Sequence, residues 1–306
     1  MDYFLGIDGG GTKTKCACIN SNLEVIFELE GGPSNPLIVG YENSASYLIN
    51  LIEKVIKKHK ILHCTLGISG CGRKENSENL RKAMIKKSKE KKIKLPNFNI
   101  ISDIEIAHEG AFNGNEGTIL IIGTGSILFS KNKNGEIFIA GGYGRLIGDE
   151  GSGYSIGKKG LQAVTKCFDG RISNTILTDI LKKKFSIKCR DELIKNIYNN
   201  KLEIQNFAPY VILAAEKKDR IAQSILEEES DEIILLIKSA TKFLGENFKL
   251  CLIGNLISDN NFYSKSIKGK IKKKFKRIKI IKPKYPPEIG AALLAKKLIH
   301  QKQIEK

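Results

Sequence analysis

The segment Gly6-Ile7-Asp8-Gly9-Gly10-Gly11-Thr12-Lys13-Thr14 sets a carboxylate at the end of an apolar run and follows it with three glycines. It is not a nucleotide loop of the GxxxxGK[ST] kind, and no helix follows. The glycines instead suit a β-hairpin turn whose amides, Gly10 and Gly11 among them, approach phosphate oxygens with no Cβ in the way. Asp8 at the strand end suits Mg²⁺ held through water, because that ion gives up its hydration shell reluctantly. A plain tight glycine turn would look the same.

Ile121-Ile122-Gly123-Thr124-Gly125-Ser126 repeats the arrangement about 115 residues later. Two amide-rich hairpins facing each other suit a triphosphate, for which positioning and electrostatics do most of the catalytic work. Between them, Ser102-Asp103-Ile104-Glu105 puts an acid where a strand gives way to a helix. Asp103 there either caps the helix or takes the proton of an attacking hydroxyl, a general-base effect of roughly 10²–10⁴-fold. Glu105 and His108 fall on other helix faces and read as structural. Gly141–Gly153 (GGYGRLIGDEGSG) packs six glycines into 13 residues. Its Asp149-Glu150 pair either caps the next helix or accepts hydrogen bonds from hydroxyls of a small polar substrate.

The elements that carry these residues come in two similar sets. Strands at 3–7, 14–20 and 25–31 form a meander, followed by a helix over 44–59 with an apolar stripe of Leu48, Ile52, Val55 and Ile56. Strand 64–69, helix 75–91, strand 98–102 and a helix from 103 continue with parallel crossovers. A second meander follows at 118–122, 127–131 and 136–140. Helical patterns dominate from 150 to 248, then come strand 249–253, a helix-strand pair over 260–281, prolines at 283–287 and a last amphipathic helix at 288–300. The expected fold is α/β: two similar domains across a cleft, with a helical insertion in the second.

At 306 residues the length suits two such domains. Hydrophobic content of 41%, charged content of 27% and a mean hydropathy of −0.20 exclude collagen-like and wholly disordered classes. Aliphatic runs are of strand length, so no membrane partner is expected. The start Met1-Asp2-Tyr3 has no signal-like pattern, giving a cytoplasmic expectation. The net charge of +18 invites a nucleic-acid reading, but of 51 basic residues only seven are Arg. The Lys-rich runs interleave with apolar positions rather than stacking aromatics, so they read as solvated surface and no nucleic-acid partner is expected. Seven cysteines without CxxC spacing read as reduced thiols, Cys16 and Cys18 sharing one buried strand face.

The order of GIDGGGTKTK, Ser34-Asn35, Gly67-Ile68-Ser69-Gly70-Cys71-Gly72, Ser102-Asp103, GTGS, GGYGRLIGDEGSG, Phe207-Ala208-Pro209, Leu252-Ile253-Gly254-Asn255 and Pro287-Glu288-Ile289-Gly290-Ala291-Ala292 resembles one family. It is that of the BadF/BadG-type ATPases of the sugar kinase, actin and heat-shock chaperone superfamily, and within it the N-acetylglucosamine kinases. The resemblance implies two ribonuclease-H-like (actin-like ATPase) domains flanking a nucleotide cleft that takes ATP and Mg²⁺. The first would comprise 1–115 and a returning helix in 286–306, the second 116–285, and the chain would pair as a homodimer.

It implies nucleotide contacts at Gly10, Gly11, Thr12, Lys13, Gly123, Thr124, Gly125, Ala208, Gly254 and Asn255, with Asp8 on the Mg²⁺. Sugar contacts would be Asn35, Asp103, Gly142, Tyr143 and Asp149, with Asp103 as base toward the 6-hydroxyl of N-acetylglucosamine. Tyr143 stands where relatives often have Trp, and Gly254-Asn255 replaces a double glycine. N-acetylmuramic acid or glucosamine are alternative acceptors, and an activator ATPase of a radical dehydratase is an alternative of the same fold.

Overall fold

The structure, a computed structural model, describes residues 2–199, 201–258 and 260–304. Residues 1, 305 and 306 of the expected first domain and residues 200 and 259 of the second lie outside the described residues. By contacts the chain forms two compact units, Met1–Glu116 with Lys282–Lys306, and Gly117–Ile281.

In the first unit the chain runs β1 (Tyr3–Gly9), β2 (Thr14–Asn20), β3 (Val25–Gly31), α1 (Pro36–Val39), α2 (Tyr41–Ile56), β4 (Ile61–Ile68), α3 (Lys74–Glu90), β5 (Asn97–Ile101) and α4 (Asp103–Phe112). The sheet order is β3-β2-β1-β4-β5. The meander pairs antiparallel, and β4 and β5 join in parallel. β1 is apolar on both faces, as a central strand covered on both sides must be. It runs two residues further than the apolar pattern predicts. Asp8 therefore lies inside the strand, in register with Lys15 on one side and Gly67 on the other. β4 begins at Ile61 rather than 64 because His63 has partners of its own, its Nε2 lying 2.9 Å from Asn99 Oδ1. Leu48, Ile49, Ile52 and Val55 of α2 pack with Leu5, Ile7, Cys16, Cys18, Cys64, Leu66, Leu80 and Met84. Burial pushes the Cys18 thiol up to about 12, so these cysteines are inert core residues.

The second unit runs β6 (Gly117–Ile122), β7 (Ser126–Lys131), β8 (Ile137–Gly141), α5 (Gly153–Phe168), α6 (Ile176–Phe185), α7 (Arg190–Tyr198), α8 (Ala208–Glu216), α9 (Arg220–Leu244), β9 (Lys249–Ile253), α10 (Asn255–Ser258), α11 (Phe262–Lys274) and β10 (Lys279–Ile281). Its sheet order, β8-β7-β6-β9-β10 from one edge, repeats that of the first unit strand for strand. Helices α5 to α9 occupy the connection from β8 to β9, the expected insertion. Asp219 ties them together: it accepts hydrogen bonds from Ala222 N, Ile176 N and Thr175 Oγ1, serving the starts of α6 and α9 at once.

The last helix, α12 (Pro287–Ile304), belongs to the first unit. Ahead of it, Lys284 N and Tyr285 N donate to Ala111 O and Gly110 O at the end of α4. Ile289, Ala292, Leu293 and Ala295 then pack on Phe4, Ala17 and Ile19. The approach is close at Gly6, where a Cβ would stand 2.0 Å from Glu288 O and 2.3 Å from Ala292 N. Neither atom can be relieved by a side-chain rotation.

Gly6→Ala is expected to destabilise the protein by about 2 kcal/mol or more, the upper part of the overpacking range. Thermal unfolding should move down by at least about 4 °C. An unchanged melting temperature would mean that α12 does not seat on β1 as described.

Candidate functional site

In the first unit the loop β1–β2 is Gly10-Gly11-Thr12-Lys13, closed by Gly10 N donating to Lys13 O at 3.0 Å. That amide is committed within the turn, which corrects the expectation that it points at a ligand. Gly11, Thr12 and Lys13 are exposed, and Lys13 Nζ lies 3.5 Å from Glu30. The turn is held from behind. Ser34 N and Asn35 N both donate to Gly10 O, and Thr14 Oγ1 donates to Gly32 O and shares a second hydrogen bond with the hydroxyl of the fully buried Ser34. Asn35 caps α1, its Oδ1 accepting from Leu37 N at 2.9 Å, so that Nδ2 is not used by the cap.

Asp103 is the first residue of α4, not its cap. Ser102 fills that place in a capping box with Glu105, whose Oε1 lies 3.3 Å from Ser102 N. Asp103 Oδ1 accepts from Ile104 N at 3.0 Å and Ser102 Oγ at 3.2 Å. Among the described residues its Oδ2 takes no hydrogen bond, and the residue is half-buried. Asp103 also acts on Asp8: burial first, then the charges of Asp103 and Glu288, push the Asp8 carboxyl up to about 7, against the pull of Lys15 and Lys13. The charges of Asp103 on α4 and Glu288 on α12 thus both reach Asp8 on β1. No group of three His, Cys, Asp or Glu among the described residues is arranged to ligate an ion directly. The donors fit a hydrated divalent cation, for which water is the inner ligand.

In the second unit the turn Gly123–Gly125 is closed by Gly123 N donating to Gly125 O. Gly123 O and Thr124 O accept from Gly153 N and Tyr154 N, so the turn rests on the start of α5. Thr124 is exposed beside it. Gly254, at φ +128°, brings β9 over β6 so closely that a Cβ would lie 1.9 Å from Ile122 O. That places the exposed Asn255 beside the same strand end. Ala208 is fully buried, with its Cβ 3.9 Å from the Cβ position at Gly153. It packs closely against the start of α5.

Asp149 does not cap α5 either; Ser152 does, accepting from Ser155 N. Asp149 is instead buried in a left-handed conformation, φ +63°, with its carboxylate against Gly125 and Ser126 N. Burial raises its pKa, partly offset by the Ser126 and Gly144 amides. The segment after it is pinned. Ser126 Oγ donates to Glu150 O, Gly151 N donates to Glu229 Oε2, and Tyr263 Oη donates to Gly151 O. Glu229 is 1% exposed and its other oxygen lies 2.8 Å from Lys159 Nζ. Gly142 and Tyr143 lie on the preceding loop, where Tyr143, Leu146 and Ile147 are 76%, 87% and 80% exposed.

Sequence reasoning missed Lys15, Glu288 and Glu229. Glu288 reads as an ordinary acid in a first helical turn. Glu229 sits in an acidic run, and only its spacing from Ala222, Leu226 and Ile233 puts it on the buried stripe.

Comparison with known proteins bears on the family and the fold. The chain is 32% identical to an N-acetylmuramic acid/N-acetylglucosamine kinase of Clostridium acetobutylicum over 97% of its length and 99% of the relative's. It is 32% identical to an N-acetyl-D-glucosamine kinase of Dictyostelium discoideum over 96% and 98%. A solved structure from Chromobacterium violaceum superposes with a TM-score of 0.77 at 23% identity, covering 96% of this chain and 98% of that one, a likeness of fold. The profile of the BadF/BadG/BcrA/BcrD ATPase family matches residues 5–295, and the chain belongs to that family.

Proposed function

We propose that the protein is an ATP-dependent amino-sugar kinase that phosphorylates N-acetylglucosamine on its 6-hydroxyl. The names of its two 32%-identical relatives support the amino-sugar class. The observation that carries the chemistry is the state of Asp103, with Oδ1 held by Ile104 N and Ser102 Oγ and Oδ2 open. A carboxylate fixed on one oxygen and free on the other suits a general base.

In this reading Asp103 Oδ2 accepts the proton of the 6-hydroxyl as its oxygen bonds to the γ-phosphorus. The bond from that phosphorus to the β–γ bridging oxygen breaks, giving ADP and the sugar 6-phosphate. Gly11, Thr12 and Lys13, and likewise Thr124 and Gly125, are the proposed contacts to phosphate oxygens; the Gly123 amide, like that of Gly10, is taken up within its turn. Gly254 and Asn255 border the adenosine. Asn35 donates through Nδ2 to the sugar, and Gly142, Tyr143 and Asp149 complete its binding. Mg²⁺, when bound with ATP, offsets the phosphate charge. Asp8 would hold it through water, and the charge balance around Asp8 supports that role.

Turnover with ATP, Mg²⁺ and, in turn, N-acetylglucosamine, N-acetylmuramic acid and glucosamine tests the reading; no phosphorylation of any of the three overturns it. Asp103→Asn keeps both Oδ1 bonds and should lower kcat by roughly 10²-fold or more while nucleotide affinity stays near wild type. A loss below about fivefold would remove Asp103 as the base.

Asp149→Asn separates charge from backbone conformation, because Asn tolerates the left-handed region as Asp does. The sugar KM should rise about tenfold through loss of a charge-assisted bond, with little change in melting temperature. Asp149→Ala should add a stability loss on the order of 1 kcal/mol from the strained φ. An unchanged KM in Asp149→Asn would place Asp149 outside the sugar site.

A further inference from the structure

Glu288 opens α12 beside β1, and its side chain is 6% exposed. A carboxylate in a first helical turn commonly finds backbone amides to accept from. Here Oε2 is buried and, among the described residues, has no hydrogen-bond partner. Oε1 lies 3.6 Å from Lys15 Nζ, an ion pair too long for a hydrogen bond. Lys15 is the cross-strand partner of Asp8, which fixes where the Glu288 charge falls. The charges at this corner do not balance. Asp8, Asp103 and Glu288 meet Lys15 and Lys13, and Lys13 is itself exposed and paired with Glu30. A buried oxygen without a donor, in a corner with more negative than positive charge, calls for an ion or its water.

We propose that Glu288 is a further carboxylate of the divalent-cation site at Asp8, with Oε2 accepting a hydrogen bond from the ion's hydration shell. This rests on the reading that Asp8 holds Mg²⁺ with ATP. The ion joins Asp8 on β1 to the first turn of α12, while Lys15 occupies part of the same negative field in its absence. Removing Glu288 charge therefore weakens the gain in nucleotide affinity that the metal gives, and removing Lys15 charge strengthens it.

Titration calorimetry of the full chain with a non-hydrolysable ATP analogue, in Mg²⁺ and in EDTA, measures that gain as a ratio of dissociation constants with no turnover involved. Glu288→Gln, nearly isosteric, should lower the ratio at least about threefold with the EDTA affinity unchanged. Lys15→Met, at a partly exposed position, should raise it about threefold. The second variant keeps the test decisive where the first folds poorly. A wild type that ignores Mg²⁺ overturns the cation reading at Asp8 together with this assignment. A wild type that responds, with both variants giving its ratio, overturns the assignment of Glu288 alone.

Discussion

The backbone of α12 lies directly on Gly6, and much of the first unit's chemistry depends on that approach. With no Cβ at Gly6, Glu288 O and Ala292 N sit where a side chain would otherwise stand. The seating buries Ile289, Ala292 and Leu293 against Phe4, Ala17 and Ile19. It also brings the Glu288 carboxylate to Lys15 and into the field of Asp8, two residues along the strand from Gly6. Packing and electrostatics are here one constraint. A helix held an ångström further away would relieve Gly6 and disperse the charge around Asp8.

The two units apply one sheet order to two different turns. Both close a hairpin between the first two strands with a backbone bond inside the turn, Gly10 N to Lys13 O and Gly123 N to Gly125 O. Their supports differ. In the first unit the buried Ser34 and the Asn35 amide brace the turn through Gly10 O. In the second, α5 presses its first residues onto Gly123 O and Thr124 O, and Glu229 holds Gly151 from behind. The insertion thereby braces the turn: α9 carries Glu229 and α5 carries Lys159, while Tyr263 comes from α11, beyond β9.

The two meanders and the crossovers were legible because each strand is a short β-branched or aromatic run bounded by turn residues. The helix α1 was not, since four residues have no periodicity and depend on the Asn35 cap. Asp103 and Asp149 were readable as acids at element ends, but not their local partners. Ser102-Asp103-Ile104-Glu105 carries the S-x-x-E signature that makes Ser102 the cap. Asp149 precedes the cap of α5 by three residues, and no spacing predicts its positive φ or its packing against Gly125. Lys15, Glu288 and Glu229 escaped because charged residues are read as solvated until burial is known.

Charge on this protein runs in opposite senses at two scales. The chain carries +18 overall, which favours approach of an anionic nucleotide over any part of its surface. Locally the sign reverses: the charges of Asp103 and Glu288 reach Asp8 in the first unit, and Asp149 is buried against the Gly123–Gly125 turn in the second. Carboxylates beside amides that suit phosphate oxygens would repel the ligand those amides attract. In the proposed reaction each acid has a different partner, a hydrated cation for Asp8 and hydroxyl protons for Asp103 and Asp149. On that proposal an anion that brings its own divalent cation suits the corner at Asp8 better than a bare phosphate, which would meet the charges of Asp103 and Glu288 there with nothing to offset them.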